Sequence, residues 1–257
     1  MRLILKYFLR GFGKIFAFFA PQKSEYFNYQ LPSKIYQNFF VKNIIFLNVG
    51  ADCRAALHLK AHLLRKLSAP PDWIMCYSLQ DAYLLYKSEF MDFFSACSED
   101  TSKAHNGKRF VIAENEMVAM HHFPLDIEIS AYLPTFKRVM KARFQRLKAE
   151  IIKAKSVVFV AHRADSIEAL QDFALKMQEL INLWCEQRAI NGHKKHIFLV
   201  NILHKENAQG FEKQIYKVGD NVEIIQFVFD DSSTNQNRWL GNKKLWGKVM
   251  SNIERLG

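Results

Sequence analysis

The sequence predicts an α/β domain with a largely parallel sheet that helices cover on both faces. Four apolar runs are typical of buried strands, and they occupy residues 44–49, 157–162, 196–203 and 222–229. Helical patterns follow three of these runs, and such alternation of strands and helices is typical of a parallel, helix-covered sheet. Only 10 Gly and 6 Pro occur in 257 residues, too few for an all-β sandwich with many tight turns.

The segment 1–24 precedes the domain, which we expect to span 25–257 as a single unit. Within "MRLILKYFLRGFGKIFAFF", basic residues recur every four positions, which places them in one stripe along an amphipathic helix. These charges interrupt the apolar run that a signal peptide or a spanning helix needs. The pattern predicts a helix in the interface of an anionic membrane, at its inner, cytoplasmic face, with the alternative that the helix docks on this protein's own core. The residues expected at the headgroups are Arg2, Lys6, Arg10 and Lys14.

The remaining helices and strands are assigned from hydrophobic periodicity and from residues typical of helix ends. Asp52 is the expected N-cap of the first helix of the domain, and two short strands are close enough to pair as a hairpin. Pro134 is an alternative first residue for the long basic helix. The predicted helices cover residues 53–66, 79–97, 131–154, 165–189 and 242–255, and the hairpin strands cover 109–113 and 117–123.

Composition limits the class of partner. Hydrophobic residues make up 49% of the chain and aromatic residues 14%, so a large core is expected. The net charge of +11 predicts an anionic partner such as nucleic acid, anionic lipid or an acidic substrate. No RNP-type pattern, zinc-finger spacing or basic region joined to heptads is present, so we expect no nucleic-acid function. The oligomeric state stays open.

The cysteines and the absent motifs narrow the chemistry further. The four cysteines form no CxxC pair, which is typical of reduced thiols in the cytoplasm. No GxGxxG, GxxxxGK[ST], GxSxG or HExxH motif occurs, and we expect no cofactor. His193 and His196 lie in "HKKH" without a nearby carboxylate, so solvated histidines are expected there and no metal.

Cys53 is the first candidate for chemistry. It follows a buried strand and a Gly-Ala-Asp corner and opens a helix, at the sheet edge where α/β proteins place their sites. A helix N-terminus stabilises a thiolate, whereas an ionised Asp52 close to the sulfur would oppose this effect. The alternative is that Cys53 is a small structural residue without a chemical role. The histidines of "MVAMHHF", His121 and His122, point to opposite faces if they lie in a strand, so one of them could act as the base.

Several motifs together carry a resemblance to a known family. "NVGADCRAALHLK", "PPDWI", "HHF", "RFQRL" and "VVFVAHR" occur in this order, and "WLGNKKLWGKV" closes the chain. In this order they resemble a bacterial family of papain-like cysteine peptidases that often occurs beside surface-polysaccharide genes. The resemblance covers roughly residues 43 to 250. It implies that residues 25–257 are a papain-like peptidase domain with Cys53 as its nucleophile and His121 as its base.

Three functions remain open at this point. The first is a cysteine-nucleophile hydrolase or acyl transferase, in which Asp72, or else Asp126, orients His121 and Asn48 or the Cys53 amide binds the oxyanion. The second is a group transferase of surface-polysaccharide biosynthesis with a glycan or acyl-carrying substrate. The third is a non-catalytic scaffold. The residues expected to bind a substrate are Asn48, Trp73 and Arg163. Arg143 and Arg146 are further candidates to meet a phosphate or carboxylate, and the alternative for these two is an ordinary solvated basic face of the helix.

Overall fold

The computed structural model describes residues 2–20, 22, 31–188, 195–232 and 238–256. Its strands form two sheets. The strands are β1 (Ile44–Asn48), β2 (Ile74–Met75), β3 (Cys97–His105), β4 (Lys108–Ala113), β5 (Val118–Ala119), β6 (Ser156–His162), β7 (His196–His204), β8 (Phe211–Gly219) and β9 (Val222–Phe229). The helices are α1 (Arg2–Phe19), α2 (Leu31–Phe40), α3 (Arg54–Ala61), α4 (Leu79–Lys87), α5 (Ile129–Lys153), α6 (Ile167–Glu186) and α7 (Lys243–Ile253).

The central sheet has the strand order β1-β6-β7-β9-β8. The first four strands pair in parallel, and the edge strand β8 pairs antiparallel with β9. The four parallel strands are the four predicted from apolar runs, so the predicted fold class is confirmed. β8 was not predicted, because its side chains are mostly exposed and polar and carry little hydrophobic signal.

Helices cover both faces of this sheet. Ile45 and Leu47 point into a core that α4, α5 and α6 share, whereas Ile44 and Phe46 point into a second core with α1, α2, α3 and α7. Successive side chains of a strand point to opposite faces, which is why one apolar run supplies both cores. A second, antiparallel sheet of order β2-β5-β4-β3 includes the predicted hairpin, in which Val111 pairs with Ala119.

Several predicted boundaries were wrong. α3 begins one residue after Cys53, which occupies the N-cap position expected for Asp52, and it ends at Ala61, because the buried Leu63 turns the chain with a φ of 62°. The helix predicted over 79–97 ends at Lys87, because the chain turns through positive φ values at Glu89 and Phe90.

α5 begins at Ile129 rather than at Pro134, which lies inside the helix. Ile129, Tyr132 and Leu133 pack against the core, and this burial favours helix on the N-terminal side of the proline. The helix α2 was not predicted.

The N-terminal segment forms the predicted helix, but its basic stripe is not all exposed. Lys6 is buried and forms an ion pair with Glu254, and its ammonium lies 4.8 Å from the centre of the Tyr36 ring. The expectation that Lys6 meets lipid headgroups was therefore wrong, because this side of α1 docks on the domain. Leu9 and Ala17 are buried on the same side. Among the described helices, none is both long and apolar enough to cross a bilayer.

Candidate functional site

Cys53 lies at the carboxyl end of β1, as the N-cap of α3. Its position at the start of a helix is the predicted one. Burial, followed by the charge of the adjacent Asp52, raises the pKa of the Cys53 thiol. The protonated thiol therefore predominates at neutral pH, and a helix of eight residues does not reverse this effect. The geometry favours neither a resting thiolate nor a fast nucleophile.

Asn48 holds the turn that leads to Cys53. Its side-chain amide is completely buried, donates to the Pro71 carbonyl over 3.2 Å, and accepts from the Gly50 amide over 3.0 Å. Both ends of the amide are thus used within the protein. These bonds support a structural role for Asn48, and its contact with a substrate or an oxyanion stays a prediction.

Arg163 has a comparable position after β6. Its guanidinium donates to the carbonyls of Val49 and Tyr77 and to the Asp165 carboxylate, over 3.3, 2.9 and 2.7 Å. The side chain is buried, so these bonds fasten the turn after β1 to the segment after β2. The predicted contact of Arg163 with a substrate stays a prediction.

A polar network at the same sheet edge was missed by the sequence reasoning. Asp52 and Asp231 lie on either side of the His162 ring, with a distance of 3.4 Å from each carboxylate to the nearer ring nitrogen. Arg54 forms an ion pair with Asp231. Burial acts to raise the pKa of Asp52, but the hydrogen bond from His162 and the backbone amide of Arg54 outweigh it and lower this pKa.

Asp231 is the centre of this network. The residue is 3% exposed. Its carboxylate accepts from the indole N–H of Trp246 over 2.9 Å and from the backbone amide of Asn242 over 2.7 Å. Gly241 has a φ of +62°, and a Cβ atom there would lie 2.3 Å from the Asp231 carboxylate. The network therefore fastens the start of α7 to the carboxyl edge of the sheet.

Asp72 is buried in the 3₁₀ helix Pro70–Trp73. Its carboxylate accepts from the Ala69 amide over 2.9 Å and pairs with the Arg65 guanidinium at 3.1 Å. Burial raises the pKa of Asp72 although Arg65 acts to lower it. The bonds hold the turn before Trp73, and the proposed orientation of His121 by Asp72 stays a prediction.

Trp73 and His121 are brought together by the pairing of β2 with β5. Ile74 lies opposite Ala119, so the chain just before β2 meets the chain just after β5. The Trp73 and His121 rings make an edge contact with a centroid separation of 5.6 Å, and the Arg65 guanidinium lies 5.6 Å from the Trp73 ring centre.

These rings line a cleft of about 800 Å³ between α5, α2 and the segment before the 3₁₀ helix. Five basic side chains and a single carboxylate occur among the described residues that line it. The carboxylate, Glu150, is paired with Lys66 and Lys153. The basic side chains are Lys34, Lys66, Arg143, Arg146 and Lys153. We call this cavity the basic cleft.

Both histidines of "HHF" line the basic cleft. The expectation that they lie in a strand was wrong, because β5 ends at Ala119. Burial, followed by the charge of Arg143, lowers the pKa of His122 to about 3, so this ring is neutral at pH 7. The Nε2 atom of His122 is buried and has no hydrogen-bond partner within the described part of the chain.

The structure therefore separates the predicted site residues into two groups. Trp73 and His121 line the basic cleft together with Arg143, whereas Cys53 is not among its lining residues and lies with Asp52 at the carboxyl edge of the sheet. Asp126 lies in the exposed segment between β5 and α5.

Metal ligands give no further site in the described ranges, where no three His, Cys, Asp or Glu side chains are placed to hold a metal ion. His193 lies outside the described residues, and His196 begins β7.

Comparisons with protein-family models, with curated proteins and with solved structures find no match to this chain.

Proposed function

We propose that the protein binds a phosphorylated carbohydrate in the basic cleft and takes part in group transfer to or from it. The observation that carries this proposal is the composition of the cleft wall, in which five basic side chains surround one carboxylate beside an aromatic ring. A volume of about 800 Å³ is in the range of small-molecule sites. The surface-polysaccharide function considered from the sequence is the closest of the three hypotheses.

The charge of the cleft supports an anionic group on the ligand. Arg143 and Arg146 are three residues apart on α5, so they lie on one face of the helix, and both line the cleft. A guanidinium group presents a planar fork of N–H donors that matches phosphate oxygens, and such charge-assisted bonds are stronger than neutral ones. Glu150, the single carboxylate among the described residues of the cleft wall, is paired with Lys66 and Lys153.

The aromatic ring in the cleft supports a carbohydrate as the ligand, and the imidazole groups support a proton transfer. The Trp73 indole gives the cleft an apolar wall that suits the C–H face of a sugar ring. The unpartnered Nε2 of the neutral His122 could bond a ligand hydroxyl, which would satisfy this buried atom. His121 is the candidate acid or base for group transfer, because its ring lines the cleft and lies against Trp73.

The cysteine-nucleophile function has less support. Cys53 does not line the basic cleft, and burial raises the pKa of its thiol. The resemblance to papain-like cysteine peptidases stays a hypothesis with its own test, described in the Discussion.

Calorimetric titration tests the proposal. The ligands are a hexose 1-phosphate, the same hexose without phosphate, and inorganic phosphate. We expect the hexose phosphate to bind most tightly of the three. Its affinity should fall as the salt concentration is raised. Arg143→Gln should reduce its affinity about 10- to 100-fold, since a hydrogen bond to a charged group contributes about 1.5–3 kcal/mol. Trp73→Ala should weaken the binding of hexose phosphate more than the binding of inorganic phosphate.

Arg138→Gln is the matched control, because Arg138 is an exposed arginine of the same helix that does not line the cleft. Equal losses for Arg143→Gln and Arg138→Gln would contradict the proposal. Equal affinity for the hexose with and without phosphate would contradict it as well.

A further inference from the structure

The outer side of α1 carries large apolar side chains in contact with solvent. Ile4 is 74% exposed, and even Phe12, the most covered of this set, is 47% exposed. Phe8 and Phe12 lie side by side, with ring centroids 4.8 Å apart. We call this surface the outer face of α1, and it consists of Ile4, Tyr7, Phe8, Phe12 and Ile15.

The opposite side of α1 is fixed to the domain. The ion pair between Lys6 and Glu254, the contact of Lys6 with Tyr36 and the burial of Leu9 hold the helix in one orientation. Arg2 adds a contact with Phe40 of α2, with 5.8 Å from its guanidinium to the ring centre. The outer face is therefore presented by a docked helix, and its exposure does not result from a loose tail.

The charge of the segment indicates which partner covers this face. No acidic residue precedes Glu25 in the chain. Lys14 is exposed and directly precedes Ile15 of the outer face. Arg2 is exposed at the start of the helix, and Arg10 is half-buried. Aromatic and aliphatic side chains bordered by Lys and Arg are typical of helices that lie in a membrane interface, where cations meet anionic headgroups.

A second copy of the chain is a poorer partner for the same surface. A two-fold contact between two outer faces would bring Arg2 and Lys14 of each copy towards the basic residues of the other, without an acidic residue in α1 to offset the repulsion. A bilayer surface with anionic lipids has the opposite charge and accepts the apolar side chains as well.

We propose that the outer face of α1 is a monotopic membrane-binding surface, which inserts its apolar side chains into an anionic lipid leaflet while Lys6 keeps the helix docked on the domain. The helix of 18 residues lies along the membrane plane over about 27 Å. Insertion of the apolar face gives the main part of the affinity, and Arg2 and Lys14 supply the part that depends on lipid charge. This inference does not depend on the ligand of the basic cleft.

Vesicle cosedimentation of the full chain tests the proposal, with vesicles of phosphatidylcholine alone and of phosphatidylcholine mixed with phosphatidylglycerol. The wild type should bind the mixed vesicles better, and high salt should reduce this preference. The double variant Phe8→Ser with Phe12→Ser should bind the mixed vesicles at least tenfold more weakly. Arg2→Gln with Lys14→Gln should remove most of the preference for the anionic lipid.

Leu175→Ser with Leu183→Ser is the matched control. These leucines are also exposed, but they belong to α6, on the other side of the central sheet from α1. The control should bind vesicles as the wild type does, and thermal unfolding should show that all variants fold. Equal vesicle binding by the Phe8/Phe12 variant and the wild type would overturn the proposal. A concentration-dependent dimer that this variant abolishes, without vesicle binding by the wild type, would assign the face to a second copy instead.

Discussion

Replacing Asp231 by alanine removes the carboxylate at the centre of the polar network. The variant leaves the Trp246 indole N–H and the backbone amide of Asn242 without their acceptor. Arg54 loses its ion pair with Asp231 and keeps only the longer one with Asp52 among its described ion pairs. Trp246 is completely buried, so water cannot readily replace the lost bond. The perturbation tests whether the network is a structural lock between the sheet edge and α7.

The expected loss in the free energy of unfolding follows from this burial. Breaking a buried ion pair by removing one partner costs about 3–5 kcal/mol. We take this range for the network as a whole, because the Arg54 side chain is 19% exposed and keeps Asp52 at 3.9 Å, whereas the buried Trp246 indole N–H loses its bond. The two bonds from neutral donors belong to the same network, so their contributions are not simply added to this figure. For a domain of this size, 1 kcal/mol corresponds to about 2–4 °C in Tm. We therefore expect Asp231→Ala to lower Tm by about 6–20 °C.

Urea unfolding followed by far-UV circular dichroism measures the loss in the free energy of unfolding without relying on the fluorescence of Trp246. Asp230→Ala is the matched control, because Asp230 is the neighbouring residue and its carboxylate is partly exposed. It accepts from the backbone amides of Asn207 and Ser232 and lies 3.8 Å from the His204 ring, so it has no buried donor among the described residues that depends on it. We expect a much smaller change in the control. Similar free energies of unfolding for the two variants would refute the structural role assigned to Asp231.

Two further predictions concern titratable groups. Burial lowers the pKa of His58 to about 4, whereas the unfolded chain binds this proton near pH 6.5. The free energy of unfolding should therefore fall as the pH drops from about 6.5 towards 4, and His58→Phe, which keeps a ring against Trp246, should flatten that part of a Tm-against-pH curve. Cys53, whose thiol pKa is raised, should react with iodoacetamide at pH 7 more slowly than the exposed Cys76, and faster as the pH rises. Mass spectrometry of the alkylated peptides measures both rates, and faster labelling of Cys53 at pH 7 would support the nucleophile hypothesis.

The sequence was sufficient for the parallel part of the fold. The strands β1, β6, β7 and β9 are apolar on both faces, because helices cover the sheet on both sides, and such runs are visible without structural information. β3 and β8 were missed because an edge strand needs few buried side chains and its sequence is mostly polar. Their pairing depends on neighbours that are distant in the chain.

The candidate site was only partly predictable for the same reason. Trp73, His121 and Arg143 were chosen from separate motifs, and the basic cleft joins them only through the pairing of β2 with β5 and the packing of α5. His162 and Asp231 were overlooked, although His162 ends one buried parallel strand and Asp231 closely follows another. A position at the end of such a strand is the signal that drew attention to Cys53.

The docking of α1 shows the limit of periodicity. The pattern predicted an amphipathic helix with a basic stripe, but it did not show which side would meet the domain. Glu254 lies 248 positions after Lys6, and this distant carboxylate gives the basic side of the helix a buried partner. The side of the helix that carries Ile4, Phe8 and Phe12 is consequently the exposed one.

A crystal structure of the protein with a bound hexose 1-phosphate tests the central claim most directly. We expect the ligand in the basic cleft, with its phosphate within hydrogen-bond distance of the Arg143 guanidinium and its sugar ring against Trp73. A ligand bound instead at the carboxyl edge of the sheet beside Cys53, or a basic cleft that stays empty at a saturating concentration, would contradict it.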